Sequence, residues 1–130
     1  MNENKNLLEV RDLKQYFSVP AGPFNSLKLK AVDGVSFDIK EGETLGLVGE
    51  SGCGKTTLGR AILKLHQPTS GKIIFEGQDI TDFKSSQMRE IRKKMQIIFQ
   101  DPYSSLPPRS TVGGILSEPV MVHNIVPKAE

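Results

Sequence analysis

Apolar and polar residues alternate along two stretches near the start of the chain, and a period of two is typical of half-buried strands. The first stretch covers residues 7–19, where Leu8 and Val10 are apolar, and the second covers residues 31–39. A turn at residues 40–42 ends the second stretch. Because no helix separates the two predicted strands, we expect them to pair in an antiparallel arrangement.

Three further stretches are predicted to be strands, because they are short, apolar and bounded by turn residues. They are residues 44–48, 72–75 and 95–99. The first of these, Thr-Leu-Gly-Leu-Val, is almost continuously apolar, which is typical of a strand buried on both faces. Together with the preceding pair, these strands predict an α/β fold that has an amino-terminal antiparallel β subdomain.

Helical periodicity follows the first of these short strands. A helix is predicted over residues 55–66, because its apolar residues form one stripe at positions i, i+3, i+4 and i+7. A charged helix is predicted over residues 85–94. A third helix is predicted over residues 111–122, with Ser110 or Thr111 as its N-terminal cap. The apolar stripe of the first helix consists of Leu58, Ala61, Ile62 and Leu65.

The segment between residues 44–48 and the first helix matches the pattern G-x-x-x-x-G-K-[ST] at every fixed position. The pattern predicts a phosphate-binding loop, since glycines let backbone amides converge on phosphate oxygens without a Cβ in the way. Lys55 would place its charge at the β- and γ-phosphates, and Thr56 would offer its hydroxyl to Mg²⁺. The helix that begins there directs its positive end at the anion. The loop consists of Gly49, Glu50, Ser51, Gly52, Cys53, Gly54, Lys55 and Thr56.

The alternative to a phosphate site is a plain glycine-rich turn in which Lys55 is merely solvated. A buried type of strand before the loop and an amphipathic helix after it favour the phosphate site, because phosphate binding by this pattern requires both. We therefore expect part of the core of a P-loop nucleoside triphosphatase.

Four segments of the sequence resemble the ATP-binding subunits of ABC transporters. They are residues 42–57 around the loop, residues 31–37 upstream of it, residues 68–77 downstream, and residues 95–106. The last segment, Met-Gln-Ile-Ile-Phe-Gln-Asp-Pro-Tyr-Ser-Ser-Leu, resembles the Q-loop region of the dipeptide and oligopeptide importers. The resemblance extends over nearly the whole chain.

The resemblance implies ATP and Mg²⁺ as cofactors. Gln100 matches the Q-loop glutamine, which in the family senses the γ-phosphate and Mg²⁺ and faces the membrane subunit. Spacing alone would make Gln100 an ordinary polar residue at the end of a strand, but its Phe-Gln-Asp-Pro context favours the Q-loop. By the same resemblance Lys55 and Gln100 are catalytic, Thr56 and Gln100 hold the metal, and Thr57 joins the residues of the loop in contacting the nucleotide.

An aromatic residue before the loop completes the site that the resemblance implies. Phe17 aligns best with the family's aromatic residue that stacks on adenine, and Tyr16 is the alternative. Stacking suits a flat ring and contributes about 1–3 kcal/mol per base by analogy with base–aromatic pairs. A purely structural role, in the core or at a sheet edge, stays open for either ring.

Residues 97–101 allow another interpretation, in which an apolar strand ends in a Walker B aspartate. We reject it, because Gln100 interrupts the apolar run and Asp101 precedes Pro102, which indicates a turn. Residues 101–109 contain three prolines and are accordingly predicted to be a loop.

Composition narrows the range of partners. The formal net charge of +2 is too small to indicate nucleic acid or an anionic membrane surface as a partner. No apolar run approaches the ~20 residues of a membrane helix, so we expect any membrane association to pass through a partner protein.

The single cysteine, Cys53, excludes an internal disulfide and suits a reducing cytosol. His66 and His123 lack the spacing of metal ligands.

The sequence also departs from the ABC pattern. It has no Leu-Ser-Gly-Gly-Gln signature, since residues 112–115 lack the serine and glutamine, and it has no convincing Walker B aspartate, catalytic glutamate or switch histidine. Pro107 stands where this group usually has asparagine, which affects only the local loop. We therefore expect residues 1–130 to form the amino-terminal part of a nucleotide-binding domain. We expect this part to be poorly stable by itself and to lack ATPase activity.

The resemblance implies the energy-coupling subunit of a peptide importer. Its expected partners are membrane permease subunits, a second nucleotide-binding subunit and, indirectly, a substrate-binding protein. The expected location is peripheral, on the cytoplasmic side of the membrane. Three alternatives stay open: a soluble ABC-type ATPase of DNA repair or translation, a P-loop kinase, and a degenerate nucleotide-binding fragment without turnover. The lack of a basic patch disfavours a nucleic-acid partner, and the sequence offers no acceptor site or lid for a kinase.

Overall fold

The computed structural model describes residues 5–125 except 102 and 104. The chain divides into two compact units, the first ending at Lys84 and the second beginning at Ser85, and each is described by itself. The first unit contains β1 (Asn6–Pro20), β2 (Ser26–Lys40), α1 (Lys55–Ile62), β3 (Ser70–Phe75) and β4 (Gln78–Asp79). The second contains α2 (Ser85–Ile91) and α3 (Val112–Val122).

The four strands form one antiparallel sheet in the order β2-β1-β3-β4. Strand β1 pairs with β2 along its whole length but with β3 only from Leu8 to Lys14. Beyond Lys14, β1 and β2 continue as a two-stranded ribbon. The predicted antiparallel pairing is confirmed, although β2 begins at Ser26 and is thus longer than the predicted 31–39.

A two-residue turn joins β3 to β4 at Glu76 and Gly77. Both residues have positive φ, 50° and 79° respectively, as a type I′ hairpin turn requires. Phe75 pairs with Gln78 directly across this turn. The prediction of a strand over residues 72–75 is confirmed, whereas β4 is too short and too polar to have been predicted.

The core of the first unit combines one face of the sheet with α1. Residues of β1 and β3 alternate between buried and more exposed positions, as the period of two predicts. Helix α1 contributes Leu58 and Ala61. Full burial of a large aliphatic side chain contributes about 1.5–3 kcal/mol. The buried apolar residues of this unit are Leu8, Val10, Leu13, Val32, Leu58, Ala61, Ile73, Phe75 and Ile80.

Helix α1 ends earlier than the predicted 55–66. Lys64 adopts the left-handed conformation with φ of 51°. The N–H of Leu65 donates to the carbonyl of Arg60 at 2.9 Å, and the N–H of Lys64 donates to that of Ala61 at 3.0 Å. These two bonds form a Schellman motif, which closes the helix after Ile62.

The left-handed conformation is unfavourable for a lysine by about 1–2 kcal/mol, and the side chain of Lys64 offsets this cost. Its Nζ donates to the carbonyl oxygens of Ile80, Thr81 and Phe83 at 3.2, 2.6 and 2.7 Å. Charged hydrogen bonds of this kind contribute about 1.5–3 kcal/mol. The end of α1 is therefore set by residues that follow it in the chain rather than by a glycine.

Two predicted strands are wrong. Residues 44–48 and 95–99 are in neither helix nor strand, because no segment within the described residues is hydrogen-bonded alongside them. Their apolar side chains are correspondingly open to solvent, with Val48 91% and Ile98 97% exposed. An apolar segment becomes a strand only when a neighbouring strand satisfies its backbone groups.

In the second unit, α2 buries Met88 and Ile91 and is shorter than the predicted 85–94, since residues 92–94 form turns. Thr111 caps α3, its hydroxyl accepting a hydrogen bond from the N–H of Gly114 at 3.2 Å. Of the two predicted caps, the structure selects Thr111. The described residues of 101–109 contain no helix or strand, as predicted. Neither α2 nor α3, nor any other helix among the described residues, is long and apolar enough to cross a membrane.

Candidate phosphate-binding site

Two glycines of the loop before α1 lie close to neighbouring atoms, and at Gly54 glycine is required. Gly54, at the N-cap of α1, has φ of 99°, and a Cβ added there would collide with the carbonyl oxygen of Ala31 on β2. A Cβ added to Gly49 would lie 2.6 Å from the Sγ of Cys53 and 3.9 Å from the Nζ of Lys55. A side chain at Gly49 would enter the space enclosed by residues 49–55, and a side chain at Gly54 would displace the loop from β2.

Lys55 reaches back across this space. Its Nζ donates to the carbonyl oxygens of Gly49 and Glu50 at 2.7 and 2.6 Å, and it lies 3.4 Å from the Sγ of Cys53. An ammonium group has three donors, and here the third faces a thiol, which is only a weak acceptor. A phosphate oxygen is a much stronger acceptor, so this donor is the one available to an anion.

The N-terminus of α1 adds further donors. The first intrahelical bond of α1 runs from the N–H of Leu58 to the carbonyl of Gly54 at 2.8 Å, so the N–H groups of residues 55–57 have no partner within the helix. No side chain caps this end, and no acidic residue lies in the first turn. The positive end of the helix dipole is thus not neutralised and favours an anion.

These features fit a nucleotide's polyphosphate. The glycine-lined space admits phosphate oxygens, and Lys55 and the uncapped helix supply the complementary charge. The side chain of Thr56 is exposed at the first turn of the helix, where its hydroxyl could coordinate a Mg²⁺ ion carried by the phosphates. Within the described residues, no group of three or more His, Cys, Asp or Glu residues could hold a metal ion.

The two aromatic residues of the ribbon have different surroundings. The hydroxyl of Tyr16 donates to the carboxylate of Asp33, and the Nζ of Lys30 lies 5.5 Å from the centre of the Tyr16 ring. The Nζ of Lys30 also lies 3.2 Å from Asp33. Hydrogen bonds from Tyr16 and then Lys30 lower the pKa of Asp33, and the bond to Asp33 raises the pKa of Tyr16. Tyr16 therefore belongs to a charged network that links the two strands of the ribbon.

Phe17 lies on the opposite face of the ribbon. Its ring meets that of His66 at a centroid distance of 5.6 Å and an interplanar angle of 88°. The residue across from it on β2 is Leu29, and the neighbouring pair on the same face is Val19 with Leu27. This face is apolar, whereas the face with Tyr16 presents lysines.

A cavity of about 220 Å³ lies between β2 and the loop. Its charged lining residues are Asp33 and Lys55. The network of Tyr16 and the lysine of the loop therefore border the same space. The remaining lining residues are Ala31, Val32, Val35, Leu47, Val48, Cys53, Gly54 and Leu58.

Gln100 belongs to the second unit, where its side chain is exposed. The segment before it is not a strand, contrary to the prediction, and the N–H of Tyr103 donates to the Oδ1 of Asp101 at 3.0 Å. This bond forms a turn that begins at Asp101, which agrees with the rejection of a Walker B aspartate at this position. The role of Gln100 stays a prediction.

Two residues near the site, Asp33 and His66, were not predicted from the sequence, and neither was Lys64 at the end of α1. Asp33 lies in the Ala-Val-Asp-Gly segment, which carries part of the resemblance. That segment drew attention to this position but gave no sign of the contact between Asp33 and Tyr16. Neither Lys64 nor His66 belongs to any local pattern, because both act through residues that are remote in the sequence.

The G-x-x-x-x-G-K-[ST] loop and the helix that starts at its lysine define a P-loop nucleotide-binding protein, although residues 44–48 do not form the strand that usually precedes such a loop. The chain belongs to the ABC transporter family, whose sequence pattern matches residues 32–126. Membership of this family confirms the predicted fold class and implies nucleotide binding.

Several curated relatives are ATP-binding proteins of peptide transport. The oligopeptide transport ATP-binding proteins AppF and OppF of Bacillus subtilis (strain 168) are each 51% identical to the chain, over 122 and 120 residues respectively. A putative peptide import ATP-binding protein of Brucella ovis is 49% identical over 124 residues. These alignments cover 92%, 92% and 95% of this chain but only 37%, 38% and 38% of the relatives. The chain therefore spans less than two fifths of the length of these relatives.

Solved structures show the same fold. The dimeric ATP-binding cassette MJ0796, in a post-hydrolysis state bound to ADP and Pi, matches with a TM-score of 0.76 at 22% identity, over 94% of this chain and 50% of that one. The cbiO1 protein of Clostridium perfringens, part of the ABC transporter complex cbiONQ, matches with a TM-score of 0.63 at 28% identity. That match covers 79% of this chain and 38% of cbiO1.

Proposed function

We propose that the chain is the ATP-binding part of an importer subunit that couples ATP binding and hydrolysis to the transport of oligopeptides or dipeptides across the cytoplasmic membrane. The main support is its identity of about half to oligopeptide transport ATP-binding proteins over 92% of its length. The arrangement of Lys55 and the uncapped helix agrees with the nucleotide part of this proposal. Residues 1–130 would be the amino-terminal part of the nucleotide-binding domain.

In this proposal the residues of the loop and Thr57 surround the polyphosphate. Lys55 keeps its bonds to the carbonyls of Gly49 and Glu50 and turns its third donor from Cys53 to a phosphate oxygen. Thr56 would hold a Mg²⁺ ion, which would offset the charge of the phosphates. Gln100 is proposed as the Q-loop glutamine on the resemblance of its Phe-Gln-Asp-Pro context.

Phe17 is proposed to stack on adenine because it aligns best with the family's aromatic residue, although the cavity beside Lys55 is bordered by Asp33, the partner of Tyr16. The Tyr16 ring already interacts with Lys30, and its hydroxyl is bonded to Asp33. Phe17 has no polar group to satisfy and belongs to the apolar face of the ribbon. Its ring is perpendicular to that of His66 and half-buried, so part of its surface is accessible.

The expected partners are membrane permease subunits, a second nucleotide-binding subunit and, indirectly, a substrate-binding protein. The net charge of +2 gives no support for nucleic acid as a partner. The location would be peripheral, at the cytoplasmic face of the membrane, with the permeases as the anchor.

Alkylation of Cys53 tests nucleotide binding directly. Cys53 is exposed and is the only cysteine of the chain, so N-ethylmaleimide labels one defined position in the loop. A nucleotide at 100 times its Kd leaves about 1% of sites free, and labelling should then slow by about 100-fold. The rate is measured by mass spectrometry with and without Mg-ATP.

The matched controls use parts of the same ligand. Mg-tripolyphosphate should also protect Cys53, because the polyphosphate is the part that occupies the loop, whereas adenosine with Mg²⁺ should not. Equal labelling rates with and without Mg-ATP, up to millimolar concentrations, would contradict the proposal.

Peptide import is tested separately in cells. Disruption of the gene should abolish the accumulation of a radiolabelled tripeptide or pentapeptide, because no ATP-driven closure would then act on the permeases. The uptake of a labelled free amino acid serves as the control and should not change. Unchanged peptide uptake would instead favour a soluble ABC-type ATPase or a fragment without turnover.

A further inference from the structure

His66 lies in the segment that connects α1 to β3, and its ring is in contact with that of Phe17. Both side chains are half-buried. Perpendicular aromatic pairs at 4.5–7 Å are attractive beyond the area that they bury, and the distance of 5.6 Å falls within this range. We propose that His66 is a positioning residue, which holds the ring of Phe17 in the orientation that stacks on the nucleobase.

The backbone of His66 is fixed on both sides. Before it, the Schellman motif at Lys64 closes α1, and the N–H of His66 itself donates to the carbonyl of Arg60 at 3.4 Å. After it, the N–H of Thr69 donates to the carbonyl of Lys14 at 2.8 Å, and the Oγ1 of Thr69 accepts from the N–H of Tyr16 at 2.9 Å. The segment is thus attached to β1 directly beside Phe17.

Phe17 needs such support because of its place in the sheet. Strand β3 accompanies β1 only as far as Lys14, so Phe17 lies on the ribbon, where it has a strand neighbour on one side alone. Its cross-strand partner Leu29 is 56% exposed and gives little lateral packing. Within the described residues, the aromatic contact of Phe17 is with His66, so His66 is the ring placed to restrict its rotation.

This inference rests on the proposed role of Phe17, and the experiment separates the two. Calorimetry measures the Kd for Mg-ATP and, as a ligand without a base, for Mg-tripolyphosphate, with the chain in its intact parent protein. His66→Ala should weaken Mg-ATP binding by about two- to tenfold, the range that an aromatic pair contributes, and should leave tripolyphosphate binding unchanged. His66→Phe retains a ring and should restore ATP binding.

The double variant Phe17→Ala/His66→Ala should bind ATP no more weakly than Phe17→Ala alone, because His66 acts through Phe17. Additive losses, a loss that is equal for ATP and tripolyphosphate, or no loss in His66→Ala would overturn the role of His66. If Phe17→Ala itself binds ATP normally, the proposed role of Phe17 is wrong and the role of His66 falls with it. Should His66→Ala fail to fold, His66→Gln, which removes the ring but keeps the polarity, is judged by the same criteria.

Discussion

Replacement of Lys55 by alanine is expected to weaken Mg-ATP binding by about 10- to 100-fold, the equivalent of one or two charged hydrogen bonds. The Nζ of Lys55 bridges the carbonyls of Gly49 and Glu50 and faces Cys53 with its remaining donor. Without it the loop loses both this internal bridge and the charge that would meet the phosphates. The Kd is measured by calorimetry with Mg-ATP.

Two variants test whether the position of Lys55 or only its charge is responsible for Mg-ATP binding. Lys40→Ala removes the same charge at an exposed site at the end of β2, and it should leave the Kd within about twofold, because exposed charges are screened by salt. Lys55→Arg keeps the charge, but its planar guanidinium cannot direct three donors to the two carbonyls and a phosphate, so it should bind almost as weakly as Lys55→Ala. Normal binding by Lys55→Ala would contradict the assignment of the loop.

Local patterns predicted the features whose determinants lie close together in the sequence. The antiparallel ribbon follows from an alternating pattern on both sides of one turn, and the start of α1 follows from the spacing of glycines and Lys55. The cap at Thr111 is likewise a contact with a residue three positions away. In each case the interacting segments are the same element or consecutive elements of the chain, so the local pattern contains the necessary information.

The wrong predictions depend on contacts with residues elsewhere in the chain. Residues 44–48 and 95–99 are as apolar as predicted, but a strand also needs a partner, which hydrophobicity does not reveal. The end of α1 depends on the contacts of Lys64 with residues 80–83, and a lysine in the left-handed conformation has no sequence signature. The same applies to the ring of His66 against Phe17, since isolated histidines in a sequence do not predict a ring contact.

Replacement of Gly54 by alanine is expected to destabilise the first unit by about 2–4 kcal/mol. Gly54 has φ of 99°, and its missing Cβ would occupy the position of the Ala31 carbonyl oxygen. That oxygen is part of the backbone of β2 and cannot rotate away, and the adjacent Val32 is buried. Relief of the collision must therefore move the loop, the start of α1 or β2 itself. The free energy of unfolding is measured by urea denaturation.

Gly59 provides the matched control within the same helix. It lies in the interior of α1, and a Cβ there meets nothing within 4 Å, so Gly59→Ala should stabilise the chain by about 0.5–1 kcal/mol through helix propensity. The two substitutions add the same methyl group five positions apart and are expected to have opposite signs. Because a shifted helix start also misdirects the N–H groups of residues 55–57, Gly54→Ala should lose ATP binding under conditions where it is still folded, whereas Gly59→Ala should retain it. Equal stabilities for the two variants would show that the contact between the loop and β2 does not determine the geometry of the phosphate site.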